Sequence, residues 1–176
     1  MCSLEPFKID LKGLKEEETE LEFNLDDNYF AAIDAPEVTK GSVGVKLSIN
    51  KTGERYFDLN FHISGEVTVQ CSRCLDDMQQ AVDTDNRLVV KFGDEYSEDD
   101  DLVTIEENDG VIDVAWFIYE FIALNIPIKH VHTPGKCNSA MIKVLEEHLA
   151  TRSSEGDGET LIDPRWSGLE KLKNNN

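Results

Sequence analysis

Cys71 and Cys74, three residues apart in the run Cys71-Ser72-Arg73-Cys74, are answered far downstream by His132 and Cys137. A Cys-x-x-Cys turn offers two thiolates to one ion, and zinc completes a tetrahedron with two further soft or borderline donors. Thr133-Pro134-Gly135-Lys136 is a short turn that can fold His132 and Cys137 toward one point. These four residues form a candidate structural zinc site of the Cys3His type. Two other readings of the thiols stay open: buried or exposed thiols without metal, and a redox pair of the thioredoxin kind. The second suits a βαβ setting better than the β-rich one found here. Asn138, a good N-cap, precedes Met141, Val144, Leu145, His148 and Leu149 at helical spacing. Cys137 therefore lies beside a helix N-terminus, whose free amides favour a thiolate. Cys2, beside the initiator, is read as incidental.

The segments that must position these residues are mostly strands. Leu21, Phe23 and Leu25 alternate with polar residues, as in a half-buried strand. Val43, Val45, Leu47 and Ile49 alternate again, Lys51-Thr52-Gly53-Glu54 supplies a turn, and Phe57, Leu59, Phe61 and Ile63 return the pattern, which predicts a hairpin. Ser64-Gly65 predicts a break, after which Val67, Val69 and Cys71 carry one face into the Cys-x-x-Cys turn. A strand over residues 87–92 returns from it, so both cysteines sit at a sheet end. Residues 93–101 are too charged to bury surface and predict a mobile loop, while Leu102, Val103 and Ile105 predict a short strand. Residues 112–124, apolar almost all round, predict a central core helix that Pro127 ends. The expected fold class is α+β: an antiparallel meander or partly closed barrel from about residue 21 to residue 105, with helices packed on one face and a short C-terminal helix.

A chain of 176 residues with 40% hydrophobic content can bury one core, and residues 1–150 are expected to form that domain. Residues 151–162 are read as a flexible acidic linker, and residues 163–176 as a docking helix. That helix has Asp163-Pro164 at its start and Trp166, Leu169 and Leu172 on one face. Four cysteines are too few for a disulfide-dense secreted scaffold, and no basic n-region with an apolar stretch opens the chain. A reducing cytoplasm is the expectation. Residues 111–128 are broken by Asp113 and Glu120, so no membrane span is expected.

The formal charge of -19 argues against a uniformly RNA-binding surface, because affinity for phosphate comes from cations. The charge is unevenly spread. Glu16, Glu17, Glu18, Glu20 and Glu22 cluster, and residues 94–109 contain no Lys or Arg. Such runs keep a protein soluble, or they dock a basic partner. Lys129, Lys136, Lys143 and Arg152 flank the His/Cys half-site, and Arg165, Lys171 and Lys173 dominate the tail.

The Cys71-Ser72-Arg73-Cys74-Leu75 turn, the helix leading into Leu124-Asn125-Ile126-Pro127, Val131-His132 with Cys137, and Asp163-Pro164-Arg165-Trp166 followed by Leu169 and Leu172 together resemble the bacterial YceD family, the large ribosomal RNA subunit accumulation proteins. The resemblance spans roughly residues 60–172. It implies a cytoplasmic protein needed for normal synthesis, processing or accumulation of large-subunit ribosomal RNA, without an established enzymatic activity. It also implies that His132 is the histidine ligand, while His130, two residues earlier, is an alternative that the sequence leaves open. Family members with a fuller metal motif carry a second Cys-x-x-Cys-like cluster where this chain has only His132 and Cys137.

Catalytic signatures are lacking. There is no P-loop, Rossmann glycine fingerprint, Gly-x-Ser-x-Gly elbow or His-Glu-x-x-His helix. Asp113 and Glu120, seven residues apart on the expected helix, would be about 10 Å apart along its axis and unable to share a proton. His62 and His148 are read as packing or surface histidines. The expected function is a non-catalytic ribosome-biogenesis factor. Its partner would be ribosomal RNA, met by Lys129, Lys136, Lys143, Arg165 and Trp166, or a basic large-subunit ribosomal protein; no small-molecule substrate is expected. The alternative is a thiol- or zinc-dependent enzyme using the Cys/His cluster.

Overall fold

The computed structural model describes residues 4–99 and 102–148. In chain order they form a 3-10 turn at Glu5–Phe7, β1 (Lys8–Asp10), β2 (Glu18–Leu25), α1 (Asp27–Ile33), β3 (Lys40–Lys51), β4 (Tyr56–Gln70), β5 (Asp77–Gly93), β6 (Ser97–Asp99), β7 (Leu102–Glu106), β8 (Val111–Asp113), α2 (Ala115–Asn125) and α3 (Ser139–His148). The chain divides into two units, residues 1–142 and 143–176; of the second, only Lys143–His148, the end of α3, is described. The expected linker over 151–162 and helix over 163–176 lie outside the described residues, as does Cys2.

The fold is α+β. Six strands form one sheet in the order β2-β3-β4-β5-β7-β6, and β1 pairs with β8 in a two-stranded ribbon. Neighbours from β2 to β5 are antiparallel, whereas β7 lies parallel to β5 and carries β6 antiparallel on its outer side. The sheet does not close into a barrel, because β2 and the three-residue β6 stand at opposite ends of the strand order. Helices α1 and α2 pack on the sheet, against β3 and β5 respectively.

Alternation makes the core. Val45 opposes Ile63, Leu47 opposes Phe61 and Ile49 opposes Leu59, and all six side chains are buried. Each such side chain taken out of water contributes roughly 1.5–3 kcal/mol before the cost of ordering it. Helix α2 adds Ile118 and Ile122, with the Phe121 ring 5.3 Å from that of Phe61. The buried Tyr29 hydroxyl of α1 donates to the Ala115 carbonyl at 2.7 Å, tying α1 to the start of α2.

Four sequence expectations are corrected. The core helix begins at Ala115, not residue 112, because residues 111–113 pair with β1 and Asp113 Oδ1 accepts the Ala115 N–H at 2.9 Å. Asp113 and Glu120 therefore do not share a helix. Within the acidic stretch, Ser97–Asp99 is a strand, its backbone groups laddered to β7. Ser64-Gly65 is no break: β4 runs straight through, and glycine is needed there because a β-carbon would lie 2.3 Å from the Ser42 carbonyl oxygen. The strand expected over 87–92 starts ten residues earlier, at Asp77, and pairs along the full length of β4. Among the described residues no helix is long and apolar enough to cross a membrane.

Candidate metal centre

Strand β4 ends at Gln70 and delivers Cys71 into a tight turn. The Leu75 N–H donates to the Cys71 carbonyl and the Cys71 N–H to the Asp76 carbonyl, both at 2.9 Å. Leu75 closes the turn in the left-handed region, at φ 63°. Both sulfurs consequently point inward, and Cys71 and Cys74 are buried although the turn between them is exposed. The segment after α2 comes back alongside: Ser72 N–H donates to the His130 carbonyl at 2.9 Å, and His130 N–H to Ser72 Oγ at 3.3 Å. This two-way clamp, one bond to the main chain and one to the Ser72 hydroxyl, sets His132 two residues further on, beside the cysteines.

The four donor atoms of Cys71, Cys74, His132 and Cys137 lie within 4.8 Å of one another. In a zinc tetrahedron with Zn–S near 2.3 Å the ligand atoms stand roughly 3.8 Å apart, so the group fits an ion after a small contraction. His132 Nδ1 is 3.3 Å from Cys74 Sγ, and its Nε2 is 3.3 Å from the Asp77 carbonyl oxygen. The latter contact selects the tautomer with the proton on Nε2, leaving the Nδ1 lone pair for a metal. His130 is not part of the group: its ring Nδ1 bonds the Pro127 carbonyl at 2.8 Å.

Electrostatics support the same arrangement. Burial alone would raise the Cys71 thiol, but the backbone N–H groups of Cys74, His132 and Arg73 aimed at its sulfur, with the Cys74 side chain, outweigh burial and bring it down to about 5. The hydrogen bond to Cys71 is the main reason His132 holds its proton more tightly than a free imidazole. Burial first, then the other two cysteines, pushes the Cys137 thiol up. Cys71 is thus favoured as a thiolate and Cys137 as a thiol, and a divalent cation held between them would stabilise the thiolate form of both. The Cys3His group could therefore bind a metal ion.

Among the other expected site residues, Lys129 and Lys136 are exposed on the segment carrying His132. Lys143 is exposed on α3, in the second unit. Arg165 and Trp166 lie outside the described residues. Asn138 caps α3 as expected, its Oδ1 accepting from the Ala140 and Met141 amides at 3.1 and 3.4 Å. Sequence reasoning missed Ser72, which acts through both its amide and its hydroxyl, and Asp77, whose role runs through its main-chain carbonyl and leaves no pattern in residue type.

These features define an α+β protein with a Cys3His knuckle at the end of its longest antiparallel strand pair. The chain belongs to the family described as large ribosomal RNA subunit accumulation protein YceD, whose family model matches residues 59–173. That match begins inside β4 and takes in the whole knuckle. No curated protein and no solved structure matches the chain.

Proposed function

We propose that this protein is a cytoplasmic, non-catalytic ribosome-biogenesis factor that supports accumulation or processing of large-subunit ribosomal RNA, with a structural zinc held by Cys71, Cys74, His132 and Cys137. The family membership supports the ribosomal setting. The observation that carries the zinc assignment is the closed Cys3His group, since four protein ligands leave no position for a substrate or an activated water. When bound, zinc supplies cross-linking strength rather than chemistry. The chain's own residues do the rest: Ser72 and His130 clamp the returning segment, Asp77 orients His132, and the fixed segment holds Lys129 and Lys136 out in solvent. Those two lysines are the first unit's contacts to RNA phosphate in this proposal; Lys143, Arg165 and Trp166 are separate contacts belonging to the second unit.

The thiol-enzyme alternative has less support, because Cys71, the thiol whose pKa is lowered, is 0% exposed and a reactive cysteine needs access. The test combines metal analysis with a cellular measurement. Untagged protein should carry about one zinc per chain, and Cys71→Ser with Cys74→Ser should carry none. Cells holding that variant, or Lys129→Ala with Lys136→Ala, should accumulate less large-subunit RNA. Metal-free wild-type protein that is folded and reduced would remove the zinc, and normal ribosomal RNA in both variants would remove the role given to the knuckle.

A further inference from the structure

Away from the sulfur cluster, Tyr96, Glu98 and Trp116 line a cleft of about 400 Å³ together with Leu4, Ile33 and Phe117. Both polar aromatic residues present ring surface to solvent, Trp116 at 49% exposure and Tyr96 at 56%. Their polar atoms hold carboxylates beside the rings: Trp116 Nε1 donates to Glu120 Oε1 at 2.8 Å, and the Tyr96 hydroxyl donates to Glu98. Burial, the bond to Glu98 and the charges of Glu98 and Glu120 push the Tyr96 phenol up to about 12, so it stays a donor. Each carboxylate thus accepts from a neutral group, and among the described residues neither makes an ion pair. Asp113 adds a third acid to the lining; it opposes Lys8 in the β1–β8 ladder and accepts the Ala115 amide, so its charge is partly answered. No Lys, Arg or His is among the described lining residues.

Exposed aromatic faces beside uncompensated carboxylates are complementary to an organic cation. A guanidinium or ammonium over a Trp or Tyr face is attracted by the ring quadrupole, and a carboxylate at the ring edge accepts its N–H groups. Arginine fits best, because its planar group stacks and its hydrogen bonds lie in the ring plane. We propose that this cleft docks an arginine or lysine side chain of a basic, extended polypeptide, the cation lying against Trp116 and Tyr96 with Glu98 and Glu120 accepting from it. A polyanion is disfavoured here by the same carboxylates. The inference goes beyond the metal-centre reading and stands if the zinc assignment fails.

The test uses the full chain with Trp166→Phe, which leaves Trp116 as its single tryptophan. The probe is a decapeptide alternating Arg and Gly, followed by Trp116 fluorescence and calorimetry. Binding should perturb Trp116 and weaken as salt rises. Glu98→Gln with Glu120→Gln should weaken it about tenfold, and so should Trp116→Leu. Glu18→Gln with Glu20→Gln on β2 makes the same charge change elsewhere and should leave affinity within about twofold. All four glutamates are exposed, so these variants keep the fold. Equal weakening by the β2 pair, equal binding of a Gln-Gly peptide, displacement of the peptide from Trp116 by oligouridine, or absence of binding at low salt would each overturn the proposal.

Discussion

The β3–β4 hairpin and the knuckle share one continuous strand, yet opposite physics holds them. From Phe57 to Val69 the odd-numbered residues of β4 are buried apolar groups apart from the close-approach Gly65, and each lies against partners on β3, β5 or α2. Past Cys71 that supply ends. Cys71 and Cys74 are buried, but across residues 127–138 no side chain is, and Leu124 and Ile128 are largely exposed. Apolar burial keeps the hairpin ordered without help. Among the described residues the returning segment is tied down by polar contacts instead: the Ser72–His130 clamp, and His132 against the Cys74 sulfur and the Asp77 carbonyl, with Cys137 beside them. A region that cannot bury enough surface needs a cross-link in its place, which is the general situation of small metal-stapled units.

The sharpest way to break this contrast is to damage the core. Phe61→Ala removes a ring that is 1% exposed and in contact with Phe121, and should cost about 3–5 kcal/mol in denaturant unfolding, with or without metal. Gly65→Ala should follow at about 1–3 kcal/mol, since the new methyl meets main-chain atoms of Ser42 and Val43 that can move only by parting β3 from β4. Gly65→Ser should do no better. If Gly65→Ala proved as stable as wild type, the two strands would have slack that the close approach does not suggest.

The knuckle should fail differently. Chelation, or His132→Ala, should raise amide exchange across residues 127–137 at least about tenfold while β3 and β4 amides change less than about twofold. Global unfolding on chelation would mean that the knuckle and the hairpin are one cooperative unit, and the contrast would be lost. An intermediate result, with β5 residues near Asp77 loosening too, would place the boundary at the Asp77 carbonyl that receives His132.

The same division governs what could be read from the sequence. Period-two apolar runs declare β2, β3 and β4 because burial on one face acts on residue type directly, whereas β7 is marked by the apolar Leu102, Val103 and Ile105 without alternation. Most of β5 escaped: its residues from Asp77 to Asn86 are largely polar and are held in the sheet by ladder bonds to β4. The parallel seat of β7 beside β5 was also out of reach, since main-chain pairing partners leave no mark on composition. The grouping of Cys71, Cys74, His132 and Cys137 was legible because sulfur and imidazole are rare and their spacing is constrained; the clamp by Ser72 and His130 was not. Tyr96 and Trp116 illustrate a third case, in which an acidic stretch and a core helix meet only after folding.

Helix α1 is the smallest of these lessons and the gentlest test. Two turns are too short to show a period, yet Asp26 begins the helix by an ordinary route: its Oδ1 accepts from the Asn28 and Tyr29 amides at 3.0 and 3.2 Å, while Asn28 Nδ2 donates to Oδ2. These bonds, the Asn28 side chain first, hold the Asp26 carboxyl below its usual value of 3.8. A depressed carboxylate stabilises the fold above its unfolded pKa and loses that contribution as pH falls through the folded one. Asp26→Ala should therefore lower Tm slightly at neutral pH, by less than any variant above, and the gap to wild type should shrink steadily as pH is taken below 3.8. Asp26→Asn, which keeps the acceptor and loses the charge, should fall between the two and show no such pH dependence. If the gap persisted at low pH, the cap would be acting through packing of Tyr29 and Phe30, and α1 would belong wholly to the core side of the contrast.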